Sequence, residues 1–243
     1  MQAVILAGGK GRRLRPYTTV LPKPLMPLGD MPIIEVVLRQ LAASGFDQVT
    51  VAVGYLAELL MAYCGDGSKF GLELRYSREE EPLGTAGPLA LIDGLRHGDT
   101  FLVMNGDVLT SLDLRGLVQQ HRANDAMATI ATHQRQQQIN YGIIESDEER
   151  RVTAYIEKPT YHYRVSMGIY VLEPAVLDYI PRGQYLDLPD LVRRLMAAGR
   201  PVLAHPFDGY WLDIGRHDDY EQAVEEFEAM RPQLFKAENV KLS

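Results

Sequence analysis

Short apolar runs alternate with helical patterns through the first half of the chain, and this alternation narrows the folds open to it more than any other feature. The runs predict strands at 2–6, 48–53, 72–77 and 100–104, and the patterns between them predict helices at 33–43, 57–63 and 88–95. Strands that are apolar along their whole length are typical of a parallel sheet covered on both faces. We therefore predict an α/β fold with a doubly wound, mostly parallel, Rossmann-like sheet and helices on both faces.

The second half of the chain is richer in strands. Strands are predicted at 126–132, 142–145, 152–157 and 165–172, and helices near 175–180, 188–198 and 218–230. Neither an internal repeat nor a Gly/Ser-rich linker separates the two halves of the sequence. We predict one continuous domain over 1–243, in which residues 126–243 add a strand-rich extension to the sheet of residues 1–125.

The composition limits the classes of protein to which the chain can belong. Hydrophobic residues make up 46% and charged residues 23%, as in an ordinary globular protein. No uncharged apolar stretch approaches the roughly 20 residues of a membrane-spanning helix. The single cysteine, Cys64, can form neither an internal disulfide nor a cysteine-based zinc site. A net charge of −7 argues against a nucleic-acid partner, and the first residues show no secretory signal. We expect a cytoplasmic protein that binds neither membranes nor nucleic acids.

Basic residues are concentrated near the start of this acidic chain. Residues 1–29 contain no acidic residue, but they contain Lys10, Arg12, Arg13, Arg15 and Lys23. A positive patch on an acidic protein favours an anionic small ligand over a polymer. A solvated basic loop is the alternative. A transit peptide is disfavoured, because the prolines between residues 16 and 32 interrupt any long helix.

A glycine-rich turn, LAGGKGRRLRP at residues 6–16, follows the first predicted strand. Glycines in such a turn let backbone N–H groups approach phosphates closely, and arginines bind phosphate oxygens through paired hydrogen bonds. The turn lacks the Gly-Lys-Ser/Thr of a Walker A loop, and Leu14 stands where the dinucleotide fingerprint has its third glycine. Farther along, Lys23 lies between two prolines on a stiff loop. Together these segments predict a phosphate-binding cradle.

Two carboxylates follow apolar runs in the sequence. Asp107 comes directly after the predicted strand at 100–104, and Asp213 lies in the segment GYWLDIG. Ligands of open α/β sheets bind beyond the carboxyl ends of the strands, where two such carboxylates could share one Mg²⁺. Turn formation is the alternative for both residues. Glu157 and Lys158 close another predicted strand, and a surface ion pair is the alternative for them.

Several motifs occur in a fixed order along nearly the whole chain: LAGGKGRRLRP, PKPL, EPLGTAGPL, NGD, YG, EKP, GIYVLEP and GYWLDIG. In this order they resemble the sugar-1-phosphate nucleotidyltransferase family. The segment EPLGTAGPL is especially similar to the GDP-mannose pyrophosphorylases, and the bacterial heptose-1-phosphate guanylyltransferases are similar too. The resemblance implies a nucleotide-binding half in residues 1–125, a sugar-phosphate-binding half in residues 126–243, and no C-terminal β-helix domain.

The resemblance also implies a reaction and its small-molecule substrates. A nucleoside triphosphate and a sugar 1-phosphate would give a nucleoside diphosphate sugar and pyrophosphate, with Mg²⁺ as the cofactor. A phosphate oxygen of the sugar phosphate would attack the α-phosphorus in line. GTP is the expected nucleotide, because a carboxylate such as Glu81 can accept both adjacent donors of guanine. UTP and dTTP are the alternatives, and the sequence leaves the formation of a homo-oligomer open.

The same resemblance assigns a role to each residue that matches a family motif. Arg13 would hold the departing pyrophosphate, and Lys23 would stabilise charge on the reacting phosphates. Mg²⁺ would be bound by Asp107 and Asp213. The nucleotide would be lined by Leu6, Ala7, Gly8, Gly9, Gly11, Glu81 and Gly84. The sugar phosphate would be contacted or bordered by Tyr141, Gly142, Glu157, Lys158 and Gly168.

Two departures from the family pattern bear on the substrates. Arg12 replaces the usual threonine of the turn, and Ser166-Met167 replaces the Asn-Ala that precedes the glycine in many relatives. The second departure leaves the identity of the sugar open. Two rival functions are a metal-dependent glycosyltransferase and a non-catalytic subunit that binds nucleotide sugars. A metal-dependent glycosyltransferase would require an Asp-x-Asp motif, but Asn105 stands at the first position of the corresponding Asn-Gly-Asp here. A non-catalytic subunit would be favoured by the loss of Arg13, Lys23 or Asp107, and all three are present.

Overall fold

A seven-stranded sheet forms the centre of the protein, whose computed structural model describes residues 1–235. The strands are β1 (Gln2–Ala7), β2 (Pro27–Leu28), β3 (Met31–Pro32), β4 (Gln48–Val53), β5 (Glu73–Arg78), β6 (Phe101–Asn105), β7 (Val108–Thr110), β8 (Ala128–Gln138), β9 (Ile143–Ser146), β10 (Val152–Ile156), β11 (Thr160–Leu172), β12 (Val202–Phe207) and β13 (Trp211–Asp213). The α-helices are α1 (Ile33–Ala43), α2 (Ala57–Cys64), α3 (Asp93–Arg96), α4 (Leu114–Arg122), α5 (Leu188–Ala197) and α6 (His217–Leu234). Short 3-10 helices lie at Arg12–Leu14, Tyr17–Thr19, Lys23–Leu25, Ser68–Phe70, Gly87–Leu91 and Pro174–Tyr179.

The strands of the central sheet follow the order β12-β8-β11-β6-β1-β4-β5. β1 is parallel to β4 and β6, β4 is parallel to β5, and β8 is parallel to β12. β11 runs antiparallel to both of its neighbours, β6 and β8. The chain winds outward from β1 in both directions, as in other doubly wound sheets. The mostly parallel sheet predicted from the alternating pattern is confirmed.

Helices cover the sheet on both faces, and alternate residues of β1 show why the strands are apolar throughout. Ile5 packs into a core that includes residues of α1, α2 and α4. Val4, its neighbour, points into a second core that includes residues of α5 and the 3-10 helix at Gly87–Leu91. Both side chains are fully buried, so the middle of β1 faces a hydrophobic core on each side.

A third hydrophobic core joins the basic segment near the start of the chain to the last helix. Leu14, Met26 and Leu28 from the basic segment pack in one cluster with Phe227 of α6 and Ile214, which follows β13. Leu14, Leu28 and Ile214 are completely buried. The cradle predicted from the sequence is therefore anchored by apolar residues that alternate with its basic ones.

One predicted helix is divided into two short pieces. The prediction of a helix over 88–95 is wrong: the segment forms a 3-10 helix at Gly87–Leu91 and then the single turn of α3. Ile92 separates the two pieces, because it adopts an extended conformation with φ −93° and ψ 91°. The region predicted as a helix near 175–180 is likewise a 3-10 helix that begins at Pro174.

Five strands and one helix were not predicted: β2, β3, β7, β12, β13 and α4. β2 and β3 have only two residues each. β12 is an edge strand that has no fully buried residue and contains Pro206. β7 and β13 have three residues each, too few for a periodic pattern, and they pair with each other outside the central sheet. α4 carries Gly116 in its interior and has a low overall hydrophobicity, although its apolar residues share one buried face.

The strand-rich extension projects beyond the central sheet. We call residues 134–166 the arm: it contains the end of β8, the β9–β10 hairpin and the first half of β11. The β8–β11 ladder continues from the sheet into the arm, so both strands are longer than the sequence predicts. The last eight residues of the predicted second half lie outside the described residues. Between residues 1 and 235, no helix combines the length and the apolar character that crossing a membrane requires.

The glycine turn after β1 touches the end of β4. A Cβ atom on Gly54, which follows β4, would lie 2.9 Å from the backbone oxygen of Gly8. The amide of Tyr55 also lies near that oxygen, at 3.4 Å. Because the atom in the way belongs to the backbone, no side-chain rotation can relieve the contact.

We predict that Gly54→Ala lowers the free energy of unfolding by about 1–3 kcal/mol, the usual effect of overpacking a rigid contact. Thermal unfolding of the variant and the parent protein measures the difference. Gly94→Ala in α3 is the matched control, because nothing lies within 4 Å of its Cβ position and alanine favours a helix. Equal melting temperatures for Gly54→Ala and the parent would contradict the predicted contact.

Candidate functional site

A cavity of about 900 Å³ opens at the carboxyl ends of β1, β4, β5 and β6. This is the edge at which open α/β sheets bind ligands. The structure brings ten of the residues predicted from the sequence to the wall of this cavity: Leu6, Ala7, Gly8, Gly9, Gly11, Arg13, Lys23, Glu81, Gly84 and Asp107. Lys10 and Arg12 also line it, so the basic segment faces the cavity rather than bulk solvent alone.

The glycine turn is held in a tight conformation by its own contacts. Gly11 has a positive φ of 56°, and its carbonyl oxygen accepts hydrogen bonds from the Thr18 hydroxyl at 2.8 Å and the Leu14 amide at 2.9 Å. A Cβ on Gly11 would lie 2.8 Å from the Thr18 methyl carbon. Only glycine fits this position without strain. Gly9, by contrast, has open space around its Cβ position, as expected for a turn that faces a ligand cavity.

Lys23 is the most buried charge of the site. It begins the 3-10 helix Lys23–Leu25, retains only 9% of its surface exposed, and donates from its ammonium group to Oδ2 of Asp107. The other carboxylate oxygen of Asp107, Oδ1, is buried without a hydrogen-bond partner. The predicted cradle lysine and the predicted strand-end carboxylate are thus in direct contact.

The antiparallel pair β7–β13 brings Asp213 beside Asp107. Asp213 pairs with Val108, and the amide of Ile214 donates to the backbone oxygen of Asp107 at 3.1 Å. Partial desolvation of the carboxylate, and then the nearby charge of Asp107, raise the pKa of Asp213, although its side chain still reaches solvent. Lys23 and Arg13 act in the opposite direction and lower that pKa. Asp213 does not line the cavity itself, but it lies within electrostatic reach of three residues that do.

The pair of aspartates has the chemistry of a divalent cation site. Mg²⁺ prefers oxygen ligands and usually takes only one or two carboxylates from the protein. A buried carboxylate oxygen without a partner, next to a second carboxylate whose protonation is favoured by that neighbour, fits such an ion. Residues 1–235 contain no cluster of three or more histidine, cysteine, aspartate or glutamate side chains arranged to hold a metal. Asp107 and Asp213 are two neighbouring carboxylates that such an ion could share.

Arg13 extends the positive wall of the cavity toward α6. Its guanidinium Nη1 lies 3.4 Å from the Cβ position of Gly215, which follows Asp213 by two residues. The amide of Gly215 donates to the Asp219 carboxylate at 3.1 Å, so the start of α6 fixes this glycine. Arg13 itself stays exposed. An exposed guanidinium beside a cavity can bind an anion without a large desolvation penalty.

Glu79 is a cavity residue that sequence reasoning missed. It directly follows β5, is half-buried, and accepts the amide of Leu83 at 2.7 Å through Oε2. Its Oε1 lies only 2.5 Å from the Cβ position of Gly8, so the carboxylate rests on the glycine turn. Burial raises the pKa of Glu79, although the Leu83 hydrogen bond acts in the opposite direction. The run Glu79–Glu81 resembles a solvated acidic stretch, and only the position of Glu79 after a strand at the ligand edge could have identified it.

Five residues predicted to contact a sugar phosphate lie outside the wall of the cavity. Tyr141, Gly142, Glu157 and Lys158 belong to the arm, where Tyr141 is 79% exposed. The exposed Glu157 and Lys158 side chains lie 3.8 Å apart. Gly168 comes closer: it has a φ of 73° at an irregularity of β11, and its Cβ position lies 2.5 Å from Nδ2 of Asn105, a cavity residue. The structure thus separates the arm residues from the cavity and places Gly168 at its border.

The comparisons with known proteins agree with this geometry. A family model described as "Nucleotidyl transferase" matches residues 2–229. The chain is 40% identical over 242 residues to a UTP–glucose-1-phosphate uridylyltransferase of Synechocystis, covering 92% of this chain. It is 37% identical over 226 residues to a mannose-1-phosphate guanylyltransferase of Mycobacterium tuberculosis, covering 90% of this chain. In both cases the chain spans 62% of the length of the relative. The crystal structure of HddC from Yersinia pseudotuberculosis shares the fold, with a TM-score of 0.72, 23% identity, and coverage of 93% of this chain and 99% of HddC.

The raised pKa of Glu79 predicts a pH-dependent effect of its replacement. Because folding favours the protonated carboxyl, the free energy of unfolding of the parent protein decreases as pH rises from the ordinary glutamate pKa through the raised one. Glu79→Gln keeps an acceptor for the Leu83 amide and removes the charge. We expect its melting temperature to exceed that of the parent at neutral pH and the two to converge in acid.

Melting temperatures of both proteins across this pH range provide the measurement. Glu80→Gln is the control, because Glu80 lines the same cavity but is exposed. A difference between Glu79→Gln and the parent that does not change with pH would contradict the assignment.

Proposed function

Because the chain belongs to the nucleotidyl transferase family, we propose that it joins a nucleoside monophosphate to a sugar 1-phosphate and releases pyrophosphate. GTP is the proposed nucleotide. The contact between Lys23 and Asp107 on the wall of the cavity, with Asp213 beside it, is the observation that carries the proposal. This contact brings a buried cation and two carboxylates together near the glycine-rich turn. Groups of these kinds position the phosphates and neutralise their charge in phosphoryl-type transfer.

The proposed reaction is a single in-line displacement. A phosphate oxygen of the sugar 1-phosphate forms a bond to the α-phosphorus of the nucleotide, and the bond between that phosphorus and the bridging oxygen of pyrophosphate breaks. Pyrophosphate leaves with the electron pair, so neither an oxidant nor a covalent enzyme intermediate is involved. Catalysis of this kind depends on positioning and on stabilisation of charge more than on acid–base groups.

The basic residues of the cavity neutralise the phosphates in this proposal. Lys23 stabilises charge at the α-phosphate, because its ammonium group is held in place by Asp107 and is shielded from bulk water. Arg13, which is exposed at the rim next to Gly215, binds the departing pyrophosphate. The backbone of Gly8, Gly9 and Gly11 supports the nucleotide at close range.

Asp107 and Asp213 would hold Mg²⁺. The ion fits the buried Oδ1 of Asp107, which has no hydrogen-bond partner, and it would offset the repulsion between the two carboxylates. When bound, the ion would supply positive charge next to the phosphates. Lys23 already neutralises part of the charge of Asp107, so the aspartate pair has capacity for one further cation. A cytoplasmic location stays a prediction from the sequence, which leaves the formation of a homo-oligomer open.

A carboxylate near the base end of the cavity favours guanine. The N1–H and N2–H₂ groups of guanine are adjacent donors that one carboxylate can accept together, whereas uracil offers a donor beside an acceptor. Three consecutive glutamates line this part of the cavity: Glu80 and Glu81, the second of them proposed from the sequence, are exposed, and Glu79 is half-buried against Gly8. We assign the base contact first to Glu79, because a carboxylate excluded from water discriminates more strongly.

The arm would complete the site at the sugar end. Tyr141, Gly142, Glu157 and Lys158 extend beyond the carboxyl edge of the sheet, and Gly168 connects the arm to Asn105 of the cavity. Glu157 is suited to accept hydrogen bonds from sugar hydroxyls, and Lys158 to bind the sugar phosphate. Tyr141 and Gly142 would border the sugar ring.

The second candidate is transfer of uridylate or thymidylate. The similarity to the Synechocystis relative, which is named a uridylyltransferase, favours this alternative. Pyrophosphate release decides between the candidates, measured with GTP, UTP, dTTP and ATP against a series of sugar 1-phosphates. GTP should give the highest kcat/KM. Release with UTP or dTTP alone would replace the guanylyl assignment, and no release with any pair would contradict the proposed reaction.

We predict that Asp107→Asn and Asp213→Asn each lower turnover severely and raise the Mg²⁺ concentration needed for half-maximal turnover. Their effects should be far from additive in the double variant, because both residues act through one ion. Binding of Mn²⁺, followed by electron paramagnetic resonance, should weaken in parallel. Asp208→Asn, on an exposed loop, is the control. Full activity of Asp213→Asn at ordinary Mg²⁺ would remove this residue from the site.

We further predict that Glu79→Gln lowers the ratio of kcat/KM for GTP to kcat/KM for UTP by on the order of tenfold, the loss expected for one hydrogen bond to a charged group. Glu81→Gln is the matched variant in the same loop. If Glu81→Gln changes the ratio and Glu79→Gln leaves it unaltered, the base contact belongs to Glu81. An unchanged ratio in both variants would rule out a carboxylate as the guanine acceptor.

A further inference from the structure

A segment from the second half of the chain supports the loop that lines the base end of the cavity. The amides of Ala86 and Gly87 donate to the backbone oxygen of Leu186 at 2.8 and 3.0 Å. In return, the amide of Leu186 donates to the backbone oxygen of Leu83 at 2.9 Å. We call residues 81–87 the base loop and residues 184–188 the support segment. About a hundred residues separate them along the chain, so tertiary structure alone brings them together.

Asp187 connects the two segments through its side chain. Its Oδ1 accepts the amide and the hydroxyl of Thr85, at 3.0 and 3.1 Å, and its Oδ2 accepts the Tyr185 hydroxyl at 2.8 Å. The Thr85 hydroxyl oxygen in turn accepts the amide of Leu188 at 2.7 Å, at the start of α5. Asp187, Thr85 and Tyr185 all line the cavity. The carboxylate therefore fixes the base loop at a point where that loop faces the ligand.

The base loop approaches the support segment too closely for a side chain at two of its glycines. Gly84 has a φ of 79°, and a Cβ there would lie 2.6 Å from the backbone oxygen of Leu186 and 2.9 Å from Oδ1 of Asp187. A Cβ on Gly87 would lie 2.7 Å from the backbone oxygen of Gln184. The loop and the support segment are therefore closely packed on both sides of Thr85.

The base loop is also linked to Glu79. The Leu83 amide donates to Oε2 of Glu79, while the Leu83 carbonyl accepts the Leu186 amide. A displacement of the loop would therefore move the amide that donates to the Glu79 carboxylate. The chain of contacts runs from Asp187 through Thr85 and Leu83 to Glu79 at the glycine turn.

We propose that Asp187 is a positioning residue for nucleotide selection: it holds the base loop, through Thr85, in the one conformation that discriminates between bases. The proposal rests on the proposed function only in taking a nucleoside triphosphate as the ligand of the cavity. Asp187 does not need to contact the base, because its oxygens already accept three hydrogen bonds from the protein. Its contribution is to keep the donors and acceptors of the base loop from rearranging around a different base.

The experiment measures binding rather than turnover. Dissociation constants for GTP, UTP, dTTP and ATP are determined by calorimetry on the full chain with Mg²⁺ and without a sugar phosphate. For the parent protein, the selectivity ratio is the dissociation constant of the weakest-binding nucleotide divided by that of the tightest-binding one. For Asp187→Ala we expect this ratio to fall by on the order of tenfold, because the loop loses hydrogen bonds to a charged group. Asp187→Asn should restore most of the ratio, because its amide oxygen can still accept from Thr85.

Asp190→Ala is the matched control. Asp190 lies three residues along, at the start of α5, and pairs with Arg193 instead of the base loop. The ratio of dissociation constants between the weakest-binding and the tightest-binding nucleotide should be the same for Asp190→Ala and the parent. If Asp187→Ala does not fold, Thr85→Val provides the second variant: it keeps the backbone bond to Asp187, loses the hydroxyl bond, and should show a smaller fall in the ratio. A loss of melting temperature without a change in the ratio would assign Asp187 a purely structural role.

The proposal is overturned if the ratio is the same in Asp187→Ala, Thr85→Val and the parent, or if Asp190→Ala lowers it equally. A parent protein that binds none of the four nucleotides would overturn it as well. Failure of the proposed function is a separate result, since it appears as an absence of pyrophosphate release from a protein whose nucleotide binding remains measurable.

Discussion

The partly buried ion pair between Lys23 and Asp107 joins the two parts of the molecule from which the site is built. Lys23 belongs to a loop stiffened by proline and packed against α6, and Asp107 follows β6 at the ligand edge of the central sheet. Removing one partner would leave the other charge partly desolvated and unpaired, which destabilises the folded protein. The glycine turn and Arg13 line the same cavity as this pair, and the pairing of β7 with β13 brings Asp213 beside it.

The last helix contributes to the same arrangement from the opposite side. The rings of His217 and Tyr220 on α6 lie 5.7 and 6.1 Å from the ring of Tyr17. Nε2 of His217 also forms a hydrogen bond of 2.8 Å with the backbone oxygen of Arg15. The Tyr55 hydroxyl, which donates to the backbone oxygen of Thr19, fixes the loop on its other side. Apolar and aromatic contacts thus bring the basic side chains to the cavity and offset the repulsion among them.

The sequence was sufficient to predict features with a local pattern or a regular period. The apolar run at β1 required a covered parallel strand, and Asp107 could be located because it follows the apolar run of β6. Glu79 also follows a strand, β5, but its burial against Gly8, which is distant in sequence, distinguishes it from the exposed glutamates beside it only in the folded protein. The role of Asp187 was invisible for the same reason: its partner Thr85 lies 102 residues away. Site residues that depend on tertiary contacts carry no local signal, whereas strand ends do.

The irregularity of β11 at Gly168 divides a single strand between two structural settings. Residues 169–172 pair with β6 in the rigid centre of the sheet, and residues 160–166 pair only with β8 in the arm. Substitutions in the arm can therefore alter one end of the site while the β6 ladder and the glycine turn remain as they are. In the proposed reaction, a lineage could exchange one substrate for another through substitutions in this solvent-exposed ribbon and keep the recognition of the other substrate intact. The two proposed specificities would then be separately heritable.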